Sequence, residues 1–128
     1  MDPVANLITS IKNSQAIGKK EATVPFSKFK LAILKLLSKE GFITDVQKLE
    51  EENHKMLKII LKYKGEQPMI RHLKRISTPA VKIYAKAKRI PRPLQGLGDV
   101  ILTTPQGVMM GKEAQKKGLG GEVICEIY

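Results

Sequence analysis

Hydrophobic positions along this chain repeat first with the period of a helix and later with that of a strand. Val4, Leu7, Ile8 and Ile11 recur at helical spacing, Asp2 can cap, Pro3 suits the first helical position and Gly18 gives a stop. The other side of this predicted helix carries Asn6, Thr9, Ser10, Lys12 and Asn13. That polar side fits a solvated face as well as it fits one that meets phosphates or a partner. "EATVPF" then reads as a short strand, kept to a sheet edge because Pro25 cannot donate to a ladder. Ser27 caps a second helix with Phe29, Ile33, Leu36 and Leu37 as its apolar stripe, and Gly41 ends it. Lys28, Lys30, Lys35 and Lys39 fill the remainder, and the free amides near Ser27 and Lys28 offer an anion site.

Beyond Gly41 the period drops to two. "FITDV" and "MLKIILKYK" flank the acidic turn "EEEN", with Leu57, Ile59, Leu61 and Tyr63 on one face and Lys58, Lys62 and Lys64 beside Ile60 on the other. "EQPM" breaks the pattern and "IRHLKRIS" resumes it as another short strand. Thr78-Pro79 marks a boundary, since proline forces extended geometry on its predecessor and cannot continue a ladder. The expected fold is α/β (α+β): an N-terminal domain, residues 1–78, with two helices against a small β-sheet, then a mainly β domain, residues 79–128. In the second part "VKIYAKA" alternates Val81, Ile83 and Ala85 against Lys82, Tyr84 and Lys86. A tyrosine between cations can stack on a base beside phosphate contacts, or can merely cover a sheet edge. "KRIPRPLQGLG" is a basic, proline-rich loop; "DVILTT", "GVMM" and "EVICEIY" are further strands, with "KEAQKK" as a short helix or turn.

Composition changes this picture through charge. Apolar residues are 42% and charged residues 27%, proportions of a globular chain. Lys plus Arg is 23 against 12 Asp plus Glu, a net +11, which favours a polyanionic partner and above all nucleic acid. The acidic turn "EEEN" stands apart in sequence from the later basic segments. A lone cysteine, Cys125, excludes an internal disulfide and a CxxC metal site, and its apolar setting predicts a buried, inert thiol. His54 and His72 lack partners at metal-ligand spacing, so no metal or other cofactor is expected. No apolar run is long enough to span a bilayer, and "MDPVANLITS" lacks the pattern of a secretory signal, so the expected home is cytoplasmic, without a membrane partner.

The least ordinary stretch is "TTPQGVMMGKEAQKKGLGG". A phosphate-binding P-loop needs a hydroxyl after its lysine, whereas Glu113 follows Lys112, and the glycine spacing is wrong. "GLGGEV" leads into a strand rather than a helix, so it is not a dinucleotide fingerprint. No Ser-His-Asp set or isolated acidic pair appears, so neither an enzyme nor a small-molecule substrate is expected. An RNA surface accounts for more residues. Thr103 and Thr104 offer hydroxyls to a base edge or ribose, and Pro105-Gln106-Gly107 exposes main-chain groups in a turn. Gly118, Gly120 and Gly121 would allow another surface to approach closely, and Lys112, Lys116 and Lys117 would screen phosphates. Lys12, Asn13, Ser27, Lys28 and Lys30 form a weaker, second candidate surface. The rival reading is a general single-stranded nucleic-acid binder driven by charge alone.

The ordered motifs "DPVANLITSIKN", "KLLSKEGFI", "VKIYAK", "GLGDVILTTPQGVMMGKEA" and "KGLGGEVIC" resemble the bacterial family of small-subunit ribosomal proteins numbered eight, over essentially the whole chain. The resemblance implies a two-domain protein that binds the central domain of small-subunit ribosomal RNA and aids subunit assembly. It also implies repression of its own operon through a messenger-RNA mimic of that site, and a place beside the small-subunit protein numbered five. The family's RNA-contact loop, typically Ser-Thr-Ser-x-Gly, matches Thr103, Thr104, Pro105, Gln106 and Gly107, and Tyr84 and Glu122 match further site positions. Lys86, Lys112, Gly120 and Gly121 adjoin them. Pro105 replaces a serine, Gln106 a frequent cation, and Met110 a usual threonine or serine.

Overall fold

A computed structural model describes residues 2–128. They form two compact units, one ending at Ile70 and the other beginning at Arg71.

In the first unit the Asp2 carboxylate accepts from the amides of Val4 and Ala5 (3.1 and 3.4 Å) and so starts α1, Pro3–Ala16. α1 buries Val4, Leu7 and Ile11, and Gly18 leaves it at a φ of +70° that only glycine adopts without strain. β1, Glu21–Pro25, precedes α2, Lys28–Lys39, where the Ser27 hydroxyl accepts from the Lys30 amide at 3.0 Å. β2, Ile43–Glu51, and β3, His54–Leu61, complete a three-stranded antiparallel sheet in the order β1-β3-β2. β1 is an edge strand, as Pro25 requires. Ala22, Val24, Leu57, Ile59 and Leu61 are buried; α1 packs on β1 and α2 on β2. Burying each of these valine, leucine and isoleucine side chains contributes about 1.5–3 kcal/mol. A small hairpin of β4, Tyr63–Lys64, and β5, Gln67–Pro68, follows.

The second unit is mainly β. Its strands are β6, Leu73–Arg75; β7, Tyr84–Ala85; β8, Asp99–Thr104; β9, Gly107–Met110; and β10, Gly121–Ile127. β10 is central, with β8 on one side and both β6 and β7 on the other; β9 extends the sheet beyond β8. One short helix, α3, Gly111–Lys116, sets Ala114 into a core of Ile90, Val100, Leu102, Met109 and Val123. Gly111 is buried so tightly that a Cβ would stand 2.7 Å from Asp99 Oδ1 and 2.8 Å from Val100 Cγ2. Met110, at the cap position of α3, provides no side-chain bond; the Asp99 carboxylate instead accepts from the Lys112 amide, at 3.4 Å.

Two expectations are corrected here. The division expected after Thr78 falls inside the second unit, because Leu73–Arg75 takes its ladder from Cys125, Glu126 and Ile127 of β10. Periodicity reveals a strand but not which sheet it joins. "VKIYAKA" is also not a full strand: only Tyr84–Ala85 pairs, and Val81 and Ile83 are exposed. Local hydroxyls take the bonds a ladder would have used. Ser77 Oγ accepts from the Ile83 amide at 2.9 Å, and Thr78 Oγ1 accepts from the Val81 amide at 3.0 Å.

Candidate nucleic-acid interface

One row of the second sheet brings several of the predicted residues together. In register, Tyr84 of β7 stands opposite Glu122 of β10, Glu122 opposite Thr103 of β8, and Thr103 opposite Val108 of β9. The neighbouring row, Val123, Leu102 and Met109, belongs to the core. Successive strand residues face opposite ways, so Thr103 lies on the face away from the Leu102 row and Thr104 on the same side as that row. Tyr84 is 68% exposed, a large ring left uncovered, whereas Thr104 is only 7% exposed.

Thr104 therefore works inside the protein and not as an outward hydroxyl. Its Oγ1 donates to the Gly107 carbonyl at 2.8 Å and accepts from the Gln106 amide at 3.1 Å, closing the turn on itself. Pro105, Gln106 and Gly107 are exposed at the tip, and Gly107 has a φ of +112°. The Thr103 hydroxyl is shielded from solvent and has no hydrogen-bond partner among the described residues. Such an orphan costs about 1–3 kcal/mol.

The double glycine has a different cause from the one expected. A Cβ on Gly121 would overlap the Thr103 carbonyl oxygen, and one on Gly120 would lie 2.5 Å from the Ala85 carbonyl oxygen. The space these glycines open is filled by the chain's own backbone, which lets β10 approach β8 and β7. Lys82, Lys86, Lys112 and Lys116 are exposed and make no ion pair among the described residues, while Lys117 pairs with Glu113 at 3.3 Å.

The second candidate surface is thinner than expected. Lys12, Asn13 and Lys28 are exposed, but the Ser27 hydroxyl is occupied by its cap, and Lys30 is buried at 4% exposure. Burial pulls the Lys30 ammonium pKa down, because desolvation penalises its charge. Ser27 and Lys30 therefore support helix α2 and are not free to grip an anion.

Sequence reasoning missed Ser77 and His72. Ser77, itself buried, holds Ile83 in place next to Tyr84, and its carbonyl accepts from Arg75 Nε at 2.5 Å. His72 stacks on Tyr128 with ring centroids 4.4 Å apart, and its Nε2 lies 2.8 Å from Glu126 Oε1. Nothing in the spacing of these residues points to either contact. Cys125 is buried, and desolvation followed by the Glu126 charge pushes its thiol up to about 12, so little thiolate forms near neutrality. The described residues contain no cluster of His, Cys, Asp and Glu able to hold a metal, and no helix long and apolar enough to cross a membrane.

The arrangement is an exposed aromatic and a neutral turn held by its own hydrogen bonds, in a unit that also carries exposed lysines without ion pairs among the described residues. The profile of the family described as ribosomal protein S8 matches residues 2–128. The small ribosomal subunit protein uS8 of Thermus aquaticus is 43% identical over 135 residues, covering 99% of this chain and 98% of its own length. Its counterpart from Geobacillus stearothermophilus is 44% identical over 126 residues, covering 98% and 96%. The chain belongs to the ribosomal protein S8 family.

Proposed function

We propose that this chain, by its family a structural and non-catalytic constituent of the small ribosomal subunit, is a primary binder of the central domain of small-subunit rRNA. The observation that carries the reading is Tyr84, 68% exposed at one end of a strand row that runs through Glu122 to Thr103. Tyr84 stacks on an unpaired base, where any base offers a π-face. Pro105, Gln106 and Gly107 enter an RNA minor groove or meet splayed bases. The Gln106 amide can both donate and accept there, and so can read an edge that a cation cannot. Lys82, Lys86 and Lys112 neutralise phosphates and steer the encounter. Glu122, beside Thr103, accepts from a base amino group and so repels RNA that lacks one at that place.

The same surface would bind a messenger-RNA mimic and repress the chain's own operon, and the bound protein would adjoin the small-subunit protein numbered five. Hydroxyl-radical footprinting of intact small-subunit rRNA tests the central statement. Protection confined to the central domain, and lost in Tyr84→Ala, is expected. Protection spread evenly along the RNA would instead establish the charge-driven binder that the +11 net charge also allows.

A further inference from the structure

The loop from Lys88 to Gly98 has no part in the row just described, yet it is built with unusual rigidity. Ile90 is anchored in the core, Pro91 and Pro93 restrict the backbone, and the Arg92 guanidinium donates to the Gln115 side chain. The Gly98 amide donates to the Pro93 carbonyl at 3.0 Å, and a Cβ on Gly98 would stand 3.1 Å from both the Pro93 and Tyr128 side chains. Within this frame Leu94 and Gln95 both hold left-handed backbone, at φ 51° and 55°. Neither is glycine, so the conformation is strained and persists because its surroundings impose it. The strained tip presents Leu94 at 49% and Leu97 at 85% exposure. Lys88 and Arg89 are exposed on the same segment without an ion pair.

A loop held this firmly loses little conformational freedom when its leucines are covered, which is the property of a preorganised docking element. We infer that Leu94 and Leu97 seat in an apolar pocket of a neighbouring small-subunit protein, with carboxylates on the pocket rim facing Lys88, Arg89 and Arg92. The charge of the loop sets the sign of that rim, and its two aliphatic tips set the nature of the pocket. RNA fits less well, because leucine neither hydrogen-bonds a base edge nor offers an aromatic face for stacking. This inference rests on the ribosomal reading above and adds a second, separate contact to it.

The test uses the full chain carrying the photoreactive residue p-benzoylphenylalanine in place of Leu97, assembled into small subunits and irradiated. A crosslink to one subunit protein is expected; a crosslink to rRNA, or none, overturns the inference. In parallel, the double variant Leu94→Ser, Leu97→Ser competes with wild type for entry into subunits. Both side chains are exposed, so its thermal midpoint should match wild type. Its occupancy should fall about tenfold, the loss of one strong anchor, while its affinity for an isolated central-domain rRNA fragment stays unchanged. Equal loss in both assays would make the loop an RNA element and sink the docking proposal. Failure of wild type to bind the fragment or enter subunits would remove the ribosomal reading first, and this inference with it.

Discussion

Two hairpin turns in this protein solve the same connection differently. Between β2 and β3, Glu51 pairs with His54 and leaves Glu52 and Asn53 at φ 46° and 69°. Two left-handed residues in succession match the twist of an antiparallel pair, so backbone geometry alone makes this turn. Between β8 and β9, Thr104 pairs with Gly107 and leaves Pro105 and Gln106 at the tip. Proline cannot adopt positive φ, so the turn is closed by the Thr104 hydroxyl and a positive-φ Gly107. The first turn is a run of exposed carboxylates that repels polyanions. The second is neutral, stiff, and joined through Thr103 and Glu122 to an exposed tyrosine. A connection becomes a binding element when its shape is fixed from within and its tip is left free.

The largest effect expected from testing this contrast comes from Gly121→Ala. Its Cβ would enter the Thr103 carbonyl and wedge β10 from β8, costing about 3 kcal/mol in urea denaturation. Thr104→Val should follow at about 1–3 kcal/mol, since two internal bonds vanish from a buried site. Its RNA affinity should drop about tenfold through loss of turn shape. Tyr84→Ala should leave the thermal midpoint unchanged, because the ring is exposed, and weaken rRNA-fragment binding by about 10–100-fold in a filter assay. Lys112→Ala should do least: it should lower the logarithmic salt slope by about 0.7–0.9 without altering the preference between RNAs. Asn53→Gly serves as the control in the acidic turn, expected to stay within about 0.5 kcal/mol of wild type and to bind RNA equally. A loss of RNA affinity in that variant would break the comparison.

Much of this was legible from residue types. Asp2 and Ser27 mark helix starts by their carboxylate and hydroxyl, and both caps form. Pro25 assigns an edge, and β1 lies on one. Strand face was less legible in the site itself. Thr103 and Thr104 look alike as a pair of hydroxyls, yet alternation puts them on opposite faces, one shielded and unpartnered and the other closing the turn. Partnership across long separations was not legible at all. Leu73–Arg75 finds its ladder on β10, and the glycines at 120 and 121 are set by carbonyls of Ala85 and Thr103. Ser77 stayed hidden because a single serine carries no period, although its two bonds to Ile83 turn the chain toward Tyr84.

The most direct test of the central claim is binding of the full chain to a central-domain rRNA fragment and to a scrambled hairpin of equal length, titrated across salt, with wild type beside Tyr84→Ala. The account predicts strong preference of wild type for the central-domain fragment, and collapse of that preference in Tyr84→Ala with the salt slope intact. Equal binding of wild type to both RNAs, governed by salt alone, would contradict it.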